Sequence, residues 1–212
     1  MHGPDPSTLP PGTLVEGQTF VDIDIGRVAG LEFFNCRFER CRFVEATLSR
    51  CVFERCVFDG CDLTRVRLGQ SGLRGVHFVD SKLLGVEFAG AADNPEMHFE
   101  RCVLRHAAFH GVSLRGVRFS GACQLQEASF LEADLQDVDL ADSDLERATF
   151  RRCGLGGADF SGASGVWFEP AQNQAKDALI SVETAVHLAR AAGLRVAGHD
   201  APRGARRGAR RR

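Results

Sequence analysis

Large apolar side chains recur at every fifth position: Phe33, Phe38, Phe43, Leu48, Phe53, Phe58, Leu63, Leu68, Leu73, Phe78, Leu83 and Phe88. The period resumes at Phe99, Leu104, Phe109, Leu114 and Phe119. After one extra residue it continues at Leu125, Phe130, Leu135, Leu140, Leu145, Phe150, Leu155 and Phe160. Two residues before the centres stand smaller side chains, early as Cys36, Cys41, Ala46, Cys51, Cys56, Cys61 and Val66, later as Ala128, Ala133, Val138, Ser143, Ala148 and Ala158. Five residues turn a helix by about 500°, leaving successive centres about 140° out of face, and they reverse the facing of a straight strand. The chain must therefore turn a corner once per repeat. Three extended residues aim the small and the large side chain inward. The other two make a bend, where Gly, Asp, Glu, Arg and Ser predominate. Stacked turns then bury a continuous core that no single repeat could bury.

The segments ADLQD, VDLAD, SDLER and ADFSG within 133–162 resemble the pentapeptide-repeat family, whose motif is a small residue, a polar residue, a central Leu or Phe and two variable positions. The resemblance covers about 16–165. It implies an all-β solenoid, a right-handed quadrilateral β-helix with four repeats per coil. Counting Phe20 and Ile25 as an irregular first pair gives about seven coils, a rod on the order of 32 Å at roughly 4.8 Å per coil. The expected organisation is a flexible N-terminus over 1–15, the β-helix over 16–165, a C-terminal cap with a short α-helix over 166–200, and a disordered Arg-rich tail over 201–212.

This register assigns most of the chemistry-bearing residues. All eight cysteines, Cys36, Cys41, Cys51, Cys56, Cys61, Cys102, Cys123 and Cys153, fall on the small inward position. They read as small core hydrophobes and neither as a disulfide framework nor as metal ligands. Fourteen of the 16 phenylalanines are centres, Phe34 and Phe168 being the exceptions, so they read as core stacks. His77, His98, His106 and His110 show no metal-type spacing and no neighbouring nucleophile motif. The reading is therefore a protein without catalytic residues, metal or cofactor. The opening Met1–Gly12 has four prolines and no apolar stretch, so neither a signal peptide nor a membrane anchor is expected, and a cytoplasmic protein is.

Two breaks interrupt the period. In the first, Ala89–Met97, the residues Asp93, Asn94 and Pro95 read either as a projecting recognition loop or as a one-residue register bulge. The second lies near Ser120–Ala122. After Gly165 the period ends. Ser181 can cap a helix whose Val182, Ala185, Val186 and Ala189 share one face, and Gly193 would stop it. This layout resembles the C-terminal dimerisation segment of quinolone-resistance pentapeptide-repeat proteins of the Qnr type, which implies a homodimer. A plain cap over the last coil is the alternative.

The net charge of −2 conceals an uneven distribution. Six arginines lie in the last ten residues, so residues 1–202 carry −8. The tail reads either as a solvated overhang or as a weak, nonspecific polyanion binder. Residues 127–146 contain Glu127, Glu132, Asp134, Asp137, Asp139, Asp142, Asp144 and Glu146 and no Lys or Arg. One coil thus carries eight carboxylates in about 5 Å of axis, against one charge per about 1.7 Å in duplex DNA. The Qnr-type resemblance implies a DNA mimic that occupies DNA gyrase or topoisomerase IV and protects it from poisons. The alternative is an interaction scaffold with no topoisomerase role. Neither a membrane nor a specific nucleic acid is an expected partner.

Overall fold

The computed structural model describes residues 5–91 and 95–199. The chain winds into a β-solenoid of about eight turns with one short C-terminal helix. Four parallel ladders run along it. The first face begins with Leu14–Glu16, Glu32–Phe34, Val52–Glu54 and Gly72–Arg74. The second stacks Thr19–Val21, Arg37–Glu39, Val57–Asp59, Val76–Val79, Met97–Glu100 and Phe119–Ser120, and single bridges continue it to Asp139 and Asp159. The third is a file of bridges from Asp24 and Arg42 to Asp144 and Ser164, and the fourth pairs Arg27–Ala29 with Thr47–Ser49.

Every five-residue centre from Phe33 to Phe160 is buried. On the second face Phe20, Phe38, Phe58, Phe78, Phe99 and Phe119 form one ring stack, with centroids 4.7 to 5.3 Å apart. Offset stacking at this distance adds to what area burial alone contributes. All eight cysteines are free and buried, and most thiols donate to carbonyls of the preceding coil, as Cys61 does to Phe38 at 3.2 Å. Burial pushes Cys102 up to about 12 and Cys123 up to about 11. Cys56 and Cys61 are pushed up by the stacked thiols Cys36 and Cys41, and then by burial.

The ladder outruns the 16–165 segment at both ends, which is why about eight turns replace the expected seven. Gly154 pairs with Gln174, and Asp159–Phe160 with Leu179–Ile180. At the other end, the sequence reading leaves 1–15 as a flexible terminus. Instead Pro6 is buried, Gly12 donates to the Gly30 carbonyl at 2.6 Å, and Leu14–Glu16 is a paired strand. Backbone pairing with the next coil ties these residues down, and the buried Val15 extends the five-residue spacing of Phe20 and Ile25 towards the N-terminus.

Neighbouring coils are normally 20 residues apart, as Ser71 and Ala91 are, but Val76 pairs with Met97, 21 residues on. The first break therefore adds one residue to its coil. The second does the same, because Phe99 pairs with Phe119 but Val103 with Gln124.

Candidate protein-binding surface

The bends give the surface its charge pattern. Eighteen non-glycine residues of the described chain have positive φ, among them Arg40, Arg65, Arg101, Arg147 and Arg152 at the last position of their repeats. Left-handed backbone costs an L-residue about 1–2 kcal/mol, and the strand pairing on either side of each bend holds it there. From these bends the arginines reach back to the acid one coil earlier. Arg40 meets Asp22 at 2.8 Å, Arg101 grips Asp80 with bonds of 2.7 and 2.8 Å, and Arg65 pairs with Glu45. Asp22, Arg40 and Gly60 succeed one another along one corner, and Asp80, Arg101 and Gly121 repeat the order. A Cβ on Gly121 would stand 2.7 Å from Cγ of Arg101, so the glycine leaves room for the arginine stem.

The same pairing sorts the eight carboxylates of 127–146, which the solenoid distributes around its circumference. Glu132 meets Arg152 at 2.6 Å, Asp137 meets Arg115 at 3.8 Å, and Glu146 meets Arg147 at 3.8 Å. Glu127 lies between His106 and Arg147, at 3.5 and 3.6 Å. These four are matched by cation-bearing neighbours. Asp134, Asp139, Asp142 and Asp144 form no ion pair among the described residues, and neither does Asp159, which sits beside Asp139 on the second face. The five lie on the first, second and third faces and the corner between the last two. The fourth face presents Ser129 and Thr149 at this level. The acidic surface is thus smaller than the sequence suggests, and it leaves the fourth face free of carboxylates at this level.

Three of the aspartates within 127–146 also shape the chain. Oδ1 of Asp134 accepts from the Gln136 amide at 3.1 Å, Asp139 from Ala141 at 3.2 Å, and Asp144 from Glu146 at 3.1 Å. Such Asx bonds satisfy a backbone donor inside the bend. The outward position of these residues hides this role in the sequence.

The other expected site residues are dispersed. Pro95 is buried, while Asp93 and Asn94 lie outside the described residues, as does the tail 201–212. The helix, Val182–Ala191, is capped by Ser181, whose Oγ accepts from the Thr184 amide at 3.1 Å. Its proposed dimerisation face is split. Val186 is buried within the monomer at 6% exposure, whereas Val182 is 69% exposed and Ala185 is exposed. Ala189 is half-buried, and Leu188 packs on the solenoid core. The exposed apolar side chains of this end are Val182, Leu179, Trp167 and Leu194, three of which lie outside the helix and so outside any helical-face argument.

Among the described residues no three His, Cys, Asp or Glu side chains converge as a metal group, and no helix is long and apolar enough to cross a membrane.

Residues 31–93 and 95–160 match the family model described as a pentapeptide repeat region. No curated protein matches the chain. Among solved structures, a trypsin-treated form of QnrB1, a plasmid-mediated fluoroquinolone resistance protein, is 21% identical, with 88% of this chain and 91% of that one covered and a TM-score of 0.50. A second trypsin-treated QnrB1 is 22% identical over the same shares, with a TM-score of 0.47. HetL, a pentapeptide repeat protein involved in heterocyst differentiation regulation from the cyanobacterium Nostoc, is 17% identical over 78% of this chain and 86% of its own, with a TM-score of 0.34.

Proposed function

The chain belongs to the pentapeptide-repeat family, and from that premise we propose that it is a non-catalytic, cytoplasmic DNA mimic that occupies the DNA-binding surface of a type II topoisomerase, DNA gyrase or topoisomerase IV, and shields the enzyme from its poisons. The observation that carries this reading is the group Asp134, Asp139, Asp142, Asp144 and Asp159, spread over three faces, which forms no ion pair among the described residues. They fall within two coils, about 10 Å of axis, over which duplex DNA carries roughly six phosphates. A basic groove built for DNA would meet a rigid rod with nearly that charge on three sides, and long-range attraction would steer the encounter. The fold shared with QnrB1 supports the reading.

The same proposal includes a homodimer formed through the C-terminal end. Val182, Leu179, Trp167 and Leu194 are exposed there, next to the acidic coil, and a two-fold contact would cover them and join two acidic surfaces. Gyrase supercoiling in the presence of a fluoroquinolone tests the function. Purified protein should restore supercoiling, and at higher concentration should inhibit it by competing with DNA. Indifference of both gyrase and topoisomerase IV at tens of micromolar would leave the scaffold reading in its place.

A further inference from the structure

On the second face, below Asp139, the ladder brings three basic side chains into one file. The pairing of Val76–Val79 with Met97–Glu100 sets His77 opposite His98, their rings 5.1 Å apart. Phe99 pairs with Phe119, which brings Arg118 beside His98 in the next coil. The three side chains form one outward file, all exposed, and none makes an ion pair among the described residues. Val79, Glu100 and Ser120 form the adjacent file, and the six together line a shallow groove. Glu100, the acid in that groove, is paired with Arg101, which also holds Asp80. Two further acids border the file: Glu96, which faces His98 from the preceding corner, and Asp139, which follows Arg118 in the ladder of the second face.

We propose that His77, His98 and Arg118 form a binding site for a phosphate-type oxyanion. A rigid ladder holds three nitrogen donor groups about 5 Å apart per step, a spacing that a tetrahedral anion can bridge. Arginine supplies a planar fork for two of its oxygens, and protonated imidazoles supply charge-assisted bonds to the others. Without an anion the protonated rings repel each other and Arg118, since unit charges 4 Å apart cost about 1 kcal/mol even in water, and Asp139 lies on the far side of Arg118 from both rings. Burial, His77 and Arg118 all hold His98 below the ordinary imidazole range, and Glu96 only partly opposes them. With a folded-state pKa below the unfolded one, the folded protein loses stability as pH falls through that range. A bound anion reverses the bias and raises the affinity of both rings for protons. By reciprocity the anion then binds more tightly in mild acid.

The test is an NMR titration of the imidazole resonances of the full-length protein in inorganic phosphate and in chloride at equal ionic strength. The midpoints of His77 and His98 should rise by about half a pH unit or more in phosphate, corresponding to roughly threefold tighter binding to the protonated ring. Those of His106, His110 and His187 should hold. In Arg118→Gln, an exposed substitution, the phosphate-specific rise should disappear. Equal shifts with ribose 5-phosphate identify a terminal phosphoryl group as the ligand, and a shift with inorganic phosphate alone identifies the free ion. Unchanged midpoints, or the same shift at every histidine, would overturn the proposal.

Discussion

Replacing Asp134, Asp139 and Asp144 together with asparagine separates charge from bend geometry. Each aspartate accepts the amide of the residue two positions on, at 3.1 to 3.2 Å. Asparagine keeps an acceptor oxygen there, so each substitution should change stability by no more than about 0.5 kcal/mol. Lysine removes the acceptor and should cost about 1 kcal/mol per bend, or about 3 kcal/mol for three bends on different faces if they are independent. The binding effect is opposite in kind. Three of the five aspartates that form no ion pair among the described residues lose their charge, and at about 0.5–1 kcal/mol per exposed interfacial pair the loss is about 1.5–3 kcal/mol, roughly 10- to 150-fold in affinity. The assay is the protein concentration giving half-maximal protection of gyrase supercoiling against a fluoroquinolone, alongside the denaturation midpoint. The asparagine variant should unfold with the wild type and protect far more weakly, and wild-type protection should fade with added salt. An asparagine variant that is folded and protects at the wild-type concentration would refute the role assigned to the acidic surface.

Val182→Asp should yield a monomer in sedimentation at tens of micromolar with an unchanged melting temperature, because Val182 is 69% exposed; Val186→Asp would confuse association with folding, since that side chain is buried. A wild type that is already monomeric at this concentration contradicts the dimer. Phe130→Ala should cost about 3–5 kcal/mol in chemical denaturation, because the ring is fully buried between Phe109 and Phe150, at 5.0 and 4.8 Å; a loss under about 1 kcal/mol would mean that the coils do not share one packed interior. With all eight thiols buried, alkylating reagent should label none of them until denaturant is added, and rapid native labelling of Cys56 or Cys61 would contradict the inward register.

The five-residue period determined the interior. It selected the inward side chains from Phe33 to Phe160 and placed every thiol in the core, because a side chain that must be buried once per bend leaves a strict mark on the sequence. It also exposed the acidic coil and the capped helix. Tertiary structure decided what each outward side chain stands beside, since lateral neighbours are 18 residues apart at the start of the solenoid and 20 or 21 apart further on. From a strict coil of 20, His77 would face Met97; the extra residue at the first break brings His98 there instead. The pairs Asp22–Arg40 and Asp80–Arg101 and the sorting of the eight carboxylates depend on the same lateral register. Val186 is a different case: helical periodicity groups it with Val182, but burial depends on what the folded chain lays against each side of the helix, and periodicity within the helix carries no information about that.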